Sequence, residues 1–431
     1  MSYENFIASI LNLKPSDLLS VTPVSTQSGT IILKIKLIPK DALCPICRIP
    51  GKTHGYYTRR LKHSTLSNRP CSIAYEQRRY ICPECGVSFS ELNPFIDSRE
   101  RITYETKLNV LKDLKYPEDT YTAIAKRYNL TPTKVIRIFD KHVNIQRKTL
   151  PAVLSIDEHY LPDSDRDAKY CCLFMDFETG EMIDVVPDRR KNALIKYFAQ
   201  IKHSTMDLST MKSELDNVEY VSIDMYDTYK DIANIFFPKA KVCADSFHVL
   251  KHLTDDFRKL RMRLVRTTEN PKLKYLLVKF RHVFDHNKNL DNEARYNKRL
   301  GRYVNYRDIR EILFQNFDEL KIAYELKEYY INLNTNTSME EAASAIDKAI
   351  DIFEACAIAE FEEFYKLLRN WRTEIINSFT KINGRRINNS YMESKNRIVA
   401  KLIFNANGFK NFKRTRNRIL YCLNPNDTFS L

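Results

Sequence analysis

At 431 residues, 43% hydrophobic and 29% charged with only 8 glycines, the chain exceeds what one hydrophobic core organises and is too apolar to be disordered or fibrous, so roughly two to four helix-rich domains are expected. No apolar stretch approaches the ~18 residues of a membrane span, and the start MSYENFIASI has no basic segment leading a cleavable apolar one, which predicts a cytoplasmic protein with no membrane partner. The net charge of +15 is concentrated: residues 1–150 hold 24 Lys and Arg against 13 Asp and Glu, residues 381–420 hold 11 against 1, and the remainder is net negative, which predicts two polyanion-contacting surfaces rather than a general solubility charge.

The first local signal is metal-like. Cys44-Pro-Ile-Cys47 and Cys82-Pro-Glu-Cys85 are CxxC knuckles, each able to aim two thiolates at one tetrahedral Zn²⁺. The 34 residues between them exceed the common ~15–20, but segments such as Ile73–Ile81 alternate polar and apolar residues as the short strands of a zinc ribbon do. Four thiolates close the coordination sphere, so one structural zinc is predicted. A pair of redox dithiols is the blander alternative, yet such pairs usually occur singly beside a βαβ pattern that is missing here. Cys71, His54 and His63 are spare candidates that read as ordinary surface or core residues. Cys171, Cys172, Cys243, Cys356 and Cys422 lie in apolar runs, as buried free thiols do, so no disulfides are expected.

Residues 120–142, TYTAIAKRYNLTPTKVIRIFDKH, have the pattern of a helix-turn-helix. Thr120 can cap a first helix that buries Ile124 and has small Ala125 where two helices meet. Asn129 tolerates a left-handed turn, Leu130 plugs the core, Thr131 caps the second helix and Pro132 takes its first position, with Val135 and Ile138 as the buried face. The other face offers Thr133, Lys134, Arg137 and Lys141 to phosphates and base edges. A helical hairpin with a solvated basic face would look similar; the adjacent zinc ribbon and basic surplus favour DNA binding.

After Pro151 the pattern turns to β. Ala152–Leu161, Tyr170–Glu178 and Glu181–Val186 read as strands, the last two joined through Glu178-Thr179-Gly180, followed by a helix over Asn192–Ile201. Strands over Val218–Asp224 and Lys241–Asp245 flank a helix over Thr228–Phe237. The order βββαβαβ is that of a ribonuclease-H-like domain. There the first strand pairs with the fourth, so Asp157 and Asp224 sit on neighbours ~4.8 Å apart, able to share two Mg²⁺ ions. Asp245 lies one strand further out, about 10 Å from the first, and reads as the anchor of its own segment, a second choice as ligand.

The third acid should come from a helix crossing this sheet. NSYMESKNRIVAKL (Asn389–Leu402) carries one carboxylate, Glu393, inside the basic stretch of residues 381–420. On a helix Glu393 shares a face with Asn396, Arg397 and Ala400. Taken singly, each acid has a bland reading as a carboxylate that keeps a surface wet. Between the last strand and this helix, residues 251–380 show long helical patterns, as over Arg307–Asn332 and Met339–Phe379, and read as an all-helical insertion. Trp371 and the many aromatic residues there recur among apolar neighbours at helical spacing and read as core rather than as base-stacking platforms.

The knuckles, the helix-turn-helix, SIDEHYL, FETGEMIDVVPDR, VSIDMYDTY, FPKAKVCADSFHVLKHL and NNSYMESKNRIVAKLIFNANGFKNFKRTRNRIL together resemble the ISL-three family of bacterial insertion-sequence transposases over nearly the whole chain. That family has its acidic triad in the SIDE, IDMY and MES segments, which implies Asp157, Asp224 and Glu393 as catalytic, metal-holding residues; Ser390 stands where it often has a glycine. The resemblance implies a DDE-type enzyme with two Mg²⁺ (or Mn²⁺) per active site that cleaves double-stranded DNA at terminal inverted repeats and joins it to target DNA, working as a homodimer or larger synaptic complex associated with the nucleoid. Lys395, Arg397, Lys401, Lys410, Lys413, Arg414, Arg416 and Arg418 are then expected to hold phosphates. The expected architecture is multidomain α+β: a zinc ribbon (1–98), a helix-turn-helix (99–150), a ribonuclease-H-like α/β catalytic core (151–250 and 381–431) and the helical insertion (251–380). The competing readings are a DNA-binding regulator with an inactive transposase-like domain, and a nuclease that cuts without joining.

Overall fold

The computed structural model describes residues 3–40, 42–97, 99–161, 168–406 and 410–430. They form two compact units: residues up to Gln146 together with those from Ile398 onward, and residues from Arg147 to Arg397. All ten cysteines are free, and no described helix is long and apolar enough to cross a membrane.

In the first unit, helix α1 (Tyr3–Ile10) is followed by strands β1 (Leu18–Ser25), β2 (Ile31–Leu37), β3 (Lys52–Leu66), β4 (Arg69–Ile81) and β5 (Ser88–Ser90). They make one sheet in the order β1-β2-β4-β3, with β5 beside β4. The β3–β4 hairpin is much longer than the short strands expected. Ser67 and Asn68 at its tip have φ of 49° and 60°, the left-handed pair that a two-residue type I′ turn needs to match strand twist. Pairing then runs from Leu66 opposite Arg69 to Lys52 opposite Ile81. Leu33, Ile35, Leu61, Ile73 and Tyr75 bury one face against Ile7 and Leu11.

Helices α2 (Tyr104–Asp113), α3 (Tyr121–Arg127) and α4 (Pro132–His142) follow. Thr120 Oγ1 accepts from the Ala123 amide at 3.0 Å and Thr131 Oγ1 from that of Lys134 at 3.4 Å, so both helices carry side-chain N-caps. Asn129 turns the chain between them at φ 51°. Ile124, Ala125, Val135 and Ile138 are buried. Leu130, expected to plug this core, is only half-buried, and Tyr128 is buried instead.

The second unit is built on a sheet of β6 (Val153–Tyr160), β7 (Tyr170–Asp176), β8 (Met182–Val186), β9 (Tyr220–Ile223) and β10 (Lys241–Ala244), with α5 (Lys191–Ser204) and α6 (Asp227–Phe236) as its connecting helices. Its order is β10-β9-β6-β7-β8. The first three strands pair antiparallel, whereas β9 and β10 run parallel to β6. Parallel neighbours need a crossover, and α6 supplies the one between β9 and β10.

From β10 the chain enters α7 (Ser246–Thr267) and α8 (Pro271–Lys279), then a hairpin of β11 (Arg295–Asn297) and β12 (Arg302–Val304). Helices α9 (Tyr306–Asn316), α10 (Asp318–Asn336), α11 (Ala342–Ala355), α12 (Glu362–Asn370) and α13 (Arg372–Asn377) follow. A second hairpin, β13 (Lys381–Ile382) and β14 (Arg385–Arg386), leads to α14 (Ser390–Ala406) and α15 (Phe412–Leu423). The insertion is therefore not all-helical: three-residue strands are too short to show a period in the sequence. The pattern over Arg307–Asn332 also breaks, at Phe317 (φ −142°, ψ 86°), whose side chain packs on the core, and Met339–Phe379 divides into three helices.

One hydrophobic core runs from Leu154, Ile156 and Phe174 of the sheet through Leu253 and Leu260 of α7 to Tyr330, Phe353, Phe364 and Trp371. The insertion thus completes the core of the sheet rather than building its own. Phe364 meets Phe353 and Tyr330 edge-on at 4.9 and 5.1 Å, a favoured geometry for buried rings.

Candidate functional site: a thiolate cluster and a carboxylate cluster

The β3–β4 hairpin explains how knuckles 34 residues apart meet. Because Lys52 pairs with Ile81, everything between them runs out and back, leaving Cys44 and Cys47 just before β3 beside Cys82 and Cys85 just after β4. The sulfurs of Cys47 and Cys82 are 3.2 Å apart, those of Cys47 and Cys85 3.5 Å, and those of Cys44 and Cys85 3.6 Å. A tetrahedral Zn²⁺ with Zn–S bonds of ~2.3 Å sets its sulfurs about 3.8 Å apart. The knuckle amide of Cys47 draws the Cys44 thiol down to about 6, and that of Cys85 lowers Cys82. Cys47 is pushed up to about 12 by the Cys82 sulfur beside it. Two anion-ready sulfurs crowded by two others fit a zinc ion, which would let all four ionise. Exposed His54, buried Cys71 and buried His63 lie outside this cluster. His63 Nδ1 is 3.1 Å from Thr103 Oγ1, and burial draws its imidazole down to about 4.

The second cluster forms at the sheet's C-terminal edge. β6 and β9 pair from Val153–Tyr220 to Ser155–Ser222, and β9 and β10 pair as far as Ile223–Ala244. Continuing both ladders brings Asp157, Asp224 and Asp245 to one level on three adjacent parallel strands. Burial pushes both Asp157 and Asp224 up to about 7, with neighbouring carboxylates adding to the shift: Asp224 for Asp157, Glu158 for Asp224. Asp224 Oδ1 is buried with no hydrogen-bond partner. Buried acids short of positive charge, one with an orphaned oxygen, suit a hard divalent cation with oxygen ligands.

Asp245, fully buried, accepts from the amides of Phe247 and Asn389, both at 3.3 Å, so it secures the starts of α7 and α14. Glu158 and Arg189 form an ion pair beside the acids. The Arg189 guanidinium lies 4.4 Å from the Tyr170 ring and 4.9 Å from that of Tyr226, and Tyr229 donates to Glu158 at 3.0 Å. Sequence reasoning missed this neutralised pair, although Glu158 follows Asp157 directly in the SIDE segment.

The approach to α14 is tied to the strand ends. Asn389 Nδ2 donates to the Ile156 carbonyl at 3.2 Å, and Arg386 donates to the carbonyl and hydroxyl of Ser378, both at 2.9 Å. From this anchor Asn396 reaches Asp157, with its Nδ2 2.7 Å from Oδ2. Glu393, one turn earlier and half-buried, makes no side-chain hydrogen bond among the described residues. Among the described residues, the four cysteines are the one group of three or more His, Cys, Asp or Glu whose ligand atoms all lie within 4.8 Å of one another; the aspartates share a level at the strand ends, and α14 brings Glu393 to the same edge of the sheet one turn before Asn396. Sequence reasoning put Asn396 on the face of Glu393 but not in contact with Asp157.

The basic residues divide into two sets. Thr133, Lys134, Arg137, Arg397, Lys410 and Lys413 are exposed. Lys141 is exposed but bonded to Glu100 at 2.7 Å, Lys401 to Glu118 at 2.6 Å, and Lys395 is half-buried. The expected phosphate cluster over Lys410–Arg418 is corrected at its arginines. Arg414 chelates Asp140 at 2.6 and 2.8 Å, and Arg416 donates to the Ile145 carbonyl at 2.7 Å. Arg418, 3% exposed, donates to the carbonyls of Tyr116 and Asp119. These guanidiniums bind α15 into the first unit and are not free for phosphates.

Residues 154–419 match the ISL-three family of transposases, a span of more than half the chain, and the protein belongs to that family. No match was found among curated proteins.

Proposed function

We propose that the chain is a DDE-type transposase of an insertion sequence, in which Asp157, Asp224 and Glu393 hold two Mg²⁺ or Mn²⁺ ions. The observation that carries this reading is the shared level of Asp157 and Asp224 at neighbouring strand ends, with Asp224 Oδ1 lacking a partner and α14 leaning on Asp157 through Asn396. When bound, such ions activate an attacking oxygen and neutralise the leaving 3′-oxygen. The order of β6–β10 supports a ribonuclease-H-like core made of residues 151–250 and the start of α14 up to Arg397, interrupted by 251–380; residues from Ile398 onward, expected in this core, belong to the first unit. Asn396 orients the Asp157 carboxylate, and the Glu158–Arg189 pair keeps a third negative charge out of the site. Water cleaves a phosphodiester at the element's end, freeing a 3′-hydroxyl; that hydroxyl then attacks a target phosphodiester, one ester bond forming as another breaks.

The zinc ribbon (1–98) and helix-turn-helix (99–150) read the terminal inverted repeats, with Thr133, Lys134, Arg137 and Lys141 facing DNA. Lys395, Arg397, Lys401, Lys410 and Lys413 hold backbone phosphates. Two ends must be cut in concert, so the working form is a homodimer or larger synaptic complex acting at the nucleoid. The competing readings are a DNA-binding regulator with an inactive catalytic domain and a nuclease that cuts without joining. Separate assays of terminal-repeat binding, Mg²⁺-dependent cleavage and joining of a pre-cut 3′-hydroxyl end to plasmid distinguish them. Binding with neither reaction establishes the regulator, cleavage without joining a nuclease, and all three the transposase.

A further inference from the structure

We infer that the β11–β12 hairpin is a binding site for unpaired nucleotides of DNA. This rests on the reading that the protein acts on DNA. Almost all aromatic residues of the insertion are buried or half-buried, but Tyr296 and Tyr303 are 56% and 70% exposed. They are direct cross-strand partners, their rings 5.4 Å apart at 62°, while the alternate positions Asn297 and Val304 are buried beneath them. The hairpin thus presents two rings outward from a fixed base. Its turn is held by the Asn297 side chain, which accepts from the amides of Arg299 and Leu300 at 3.1 and 3.2 Å, and by Gly301 at φ 68°. Arg299 also lies 4.5 Å from the Tyr275 ring of α8.

The segment RYNKRLGRYV (Arg295–Val304) carries four cations and no acid. Arg295, Lys298 and Arg302 are exposed and form no ion pair or side-chain hydrogen bond among the described residues, whereas most other arginines of this unit are paired. Exposed tyrosines cost solubility and contribute little to hairpin stability beyond their own contact. Arg295 and Arg302 pair with Val304 and Asn297 and so leave the hairpin from the face opposite the rings, exposed at its edges. With Lys298 at the turn they put positive charge around the ring pair, which gives the two needs of a single strand, an aromatic face for a base and nearby cations for its phosphates. A duplex would use the cations and leave the rings idle, since its bases are already stacked.

The test uses the full chain, a fluorescent 20-nucleotide oligo(dT) and a 20-base-pair duplex of unrelated sequence, with affinity read by anisotropy across a salt series. Tyr296→Ala with Tyr303→Ala should weaken oligo(dT) binding about tenfold or more and change duplex binding less than twofold. Tyr296→Phe with Tyr303→Phe should restore the wild-type value, which a merely misfolded variant could not do. Arg295→Ala with Arg302→Ala should lower the salt slope for oligo(dT) by about 1.4. Wild-type oligo(dT) affinity in the alanine pair, or an equal loss on duplex, overturns this inference while leaving the transposase reading intact. Wild-type protein that binds a terminal-repeat duplex but not oligo(dT) overturns this inference alone; failure to bind either of these overturns both.

Discussion

The two candidate metal sites are built in opposite ways. The thiolate cluster is local: a single hairpin returns the chain to its starting level, and all four donors converge with no help from other elements. The carboxylate cluster is assembled from β6, β9 and α14, more than two hundred residues apart in sequence, and only its two aspartates share a level. Thiols near one another can share protons and wait, whereas buried carboxylates repel until positive charge arrives. One site is therefore complete from its backbone alone, and the other depends on tertiary contacts and its ligands.

The largest test of this contrast is to disable the thiolate cluster. Cys44→Ser, or a strong chelator, should cost the first unit on the order of 10 kcal/mol. Hydrogen exchange should show residues 44–90 deprotected while β6–β10 keep their protection; equal loss in both units would show that the cluster is not a local device. Next come the acids. Asp157→Ala or Glu393→Ala should lower cleavage by roughly a thousandfold or more with terminal-repeat binding retained, and full activity of Glu393→Ala would remove α14 from the chemistry.

His63 gives a smaller effect with a definite sign. Its imidazole titrates near 4 when folded and near 6.5 when unfolded, so between these values the unfolded chain binds more protons. Its stabilising contribution is complete above pH 6.5 and is lost as pH falls toward 4, by roughly 2–3 kcal/mol. Denaturant titrations at pH 7 and 4.5 should show a difference in wild type that shrinks in His63→Gln; an unchanged difference would assign the acid lability elsewhere. Smallest is Asn396→Ala, which removes the hydrogen bond to Asp157 and should lower activity about 10- to 100-fold with the fold intact. Activity within twofold of wild type would make that contact incidental.

Much of this was legible from residue order because the relevant physics is short-ranged. CxxC spacing announced thiolate pairs, Thr120 and Thr131 announced helix starts, and alternating apolar runs announced all five strands of the second sheet. The order of those strands was enough to put Asp157 beside Asp224. The short β11 and β12 strands were invisible because three residues carry no period. The break at Phe317 was hidden because helical spacing continues through a residue that leaves the helix only to pack its ring.

What sequence alone determined, then, was the family and a set of candidate donors, since ligand chemistry depends on residue type and spacing. Only the folded chain decided which side chains are free to act. Arg414, Arg416 and Arg418 look the same in sequence as Lys410 and Lys413, yet burial opposite carbonyls and Asp140 turns them into internal ties. Asn396 rather than Glu393 touches Asp157 because Asn389 sets where the helix begins, an interaction spanning 233 residues that no local pattern encodes.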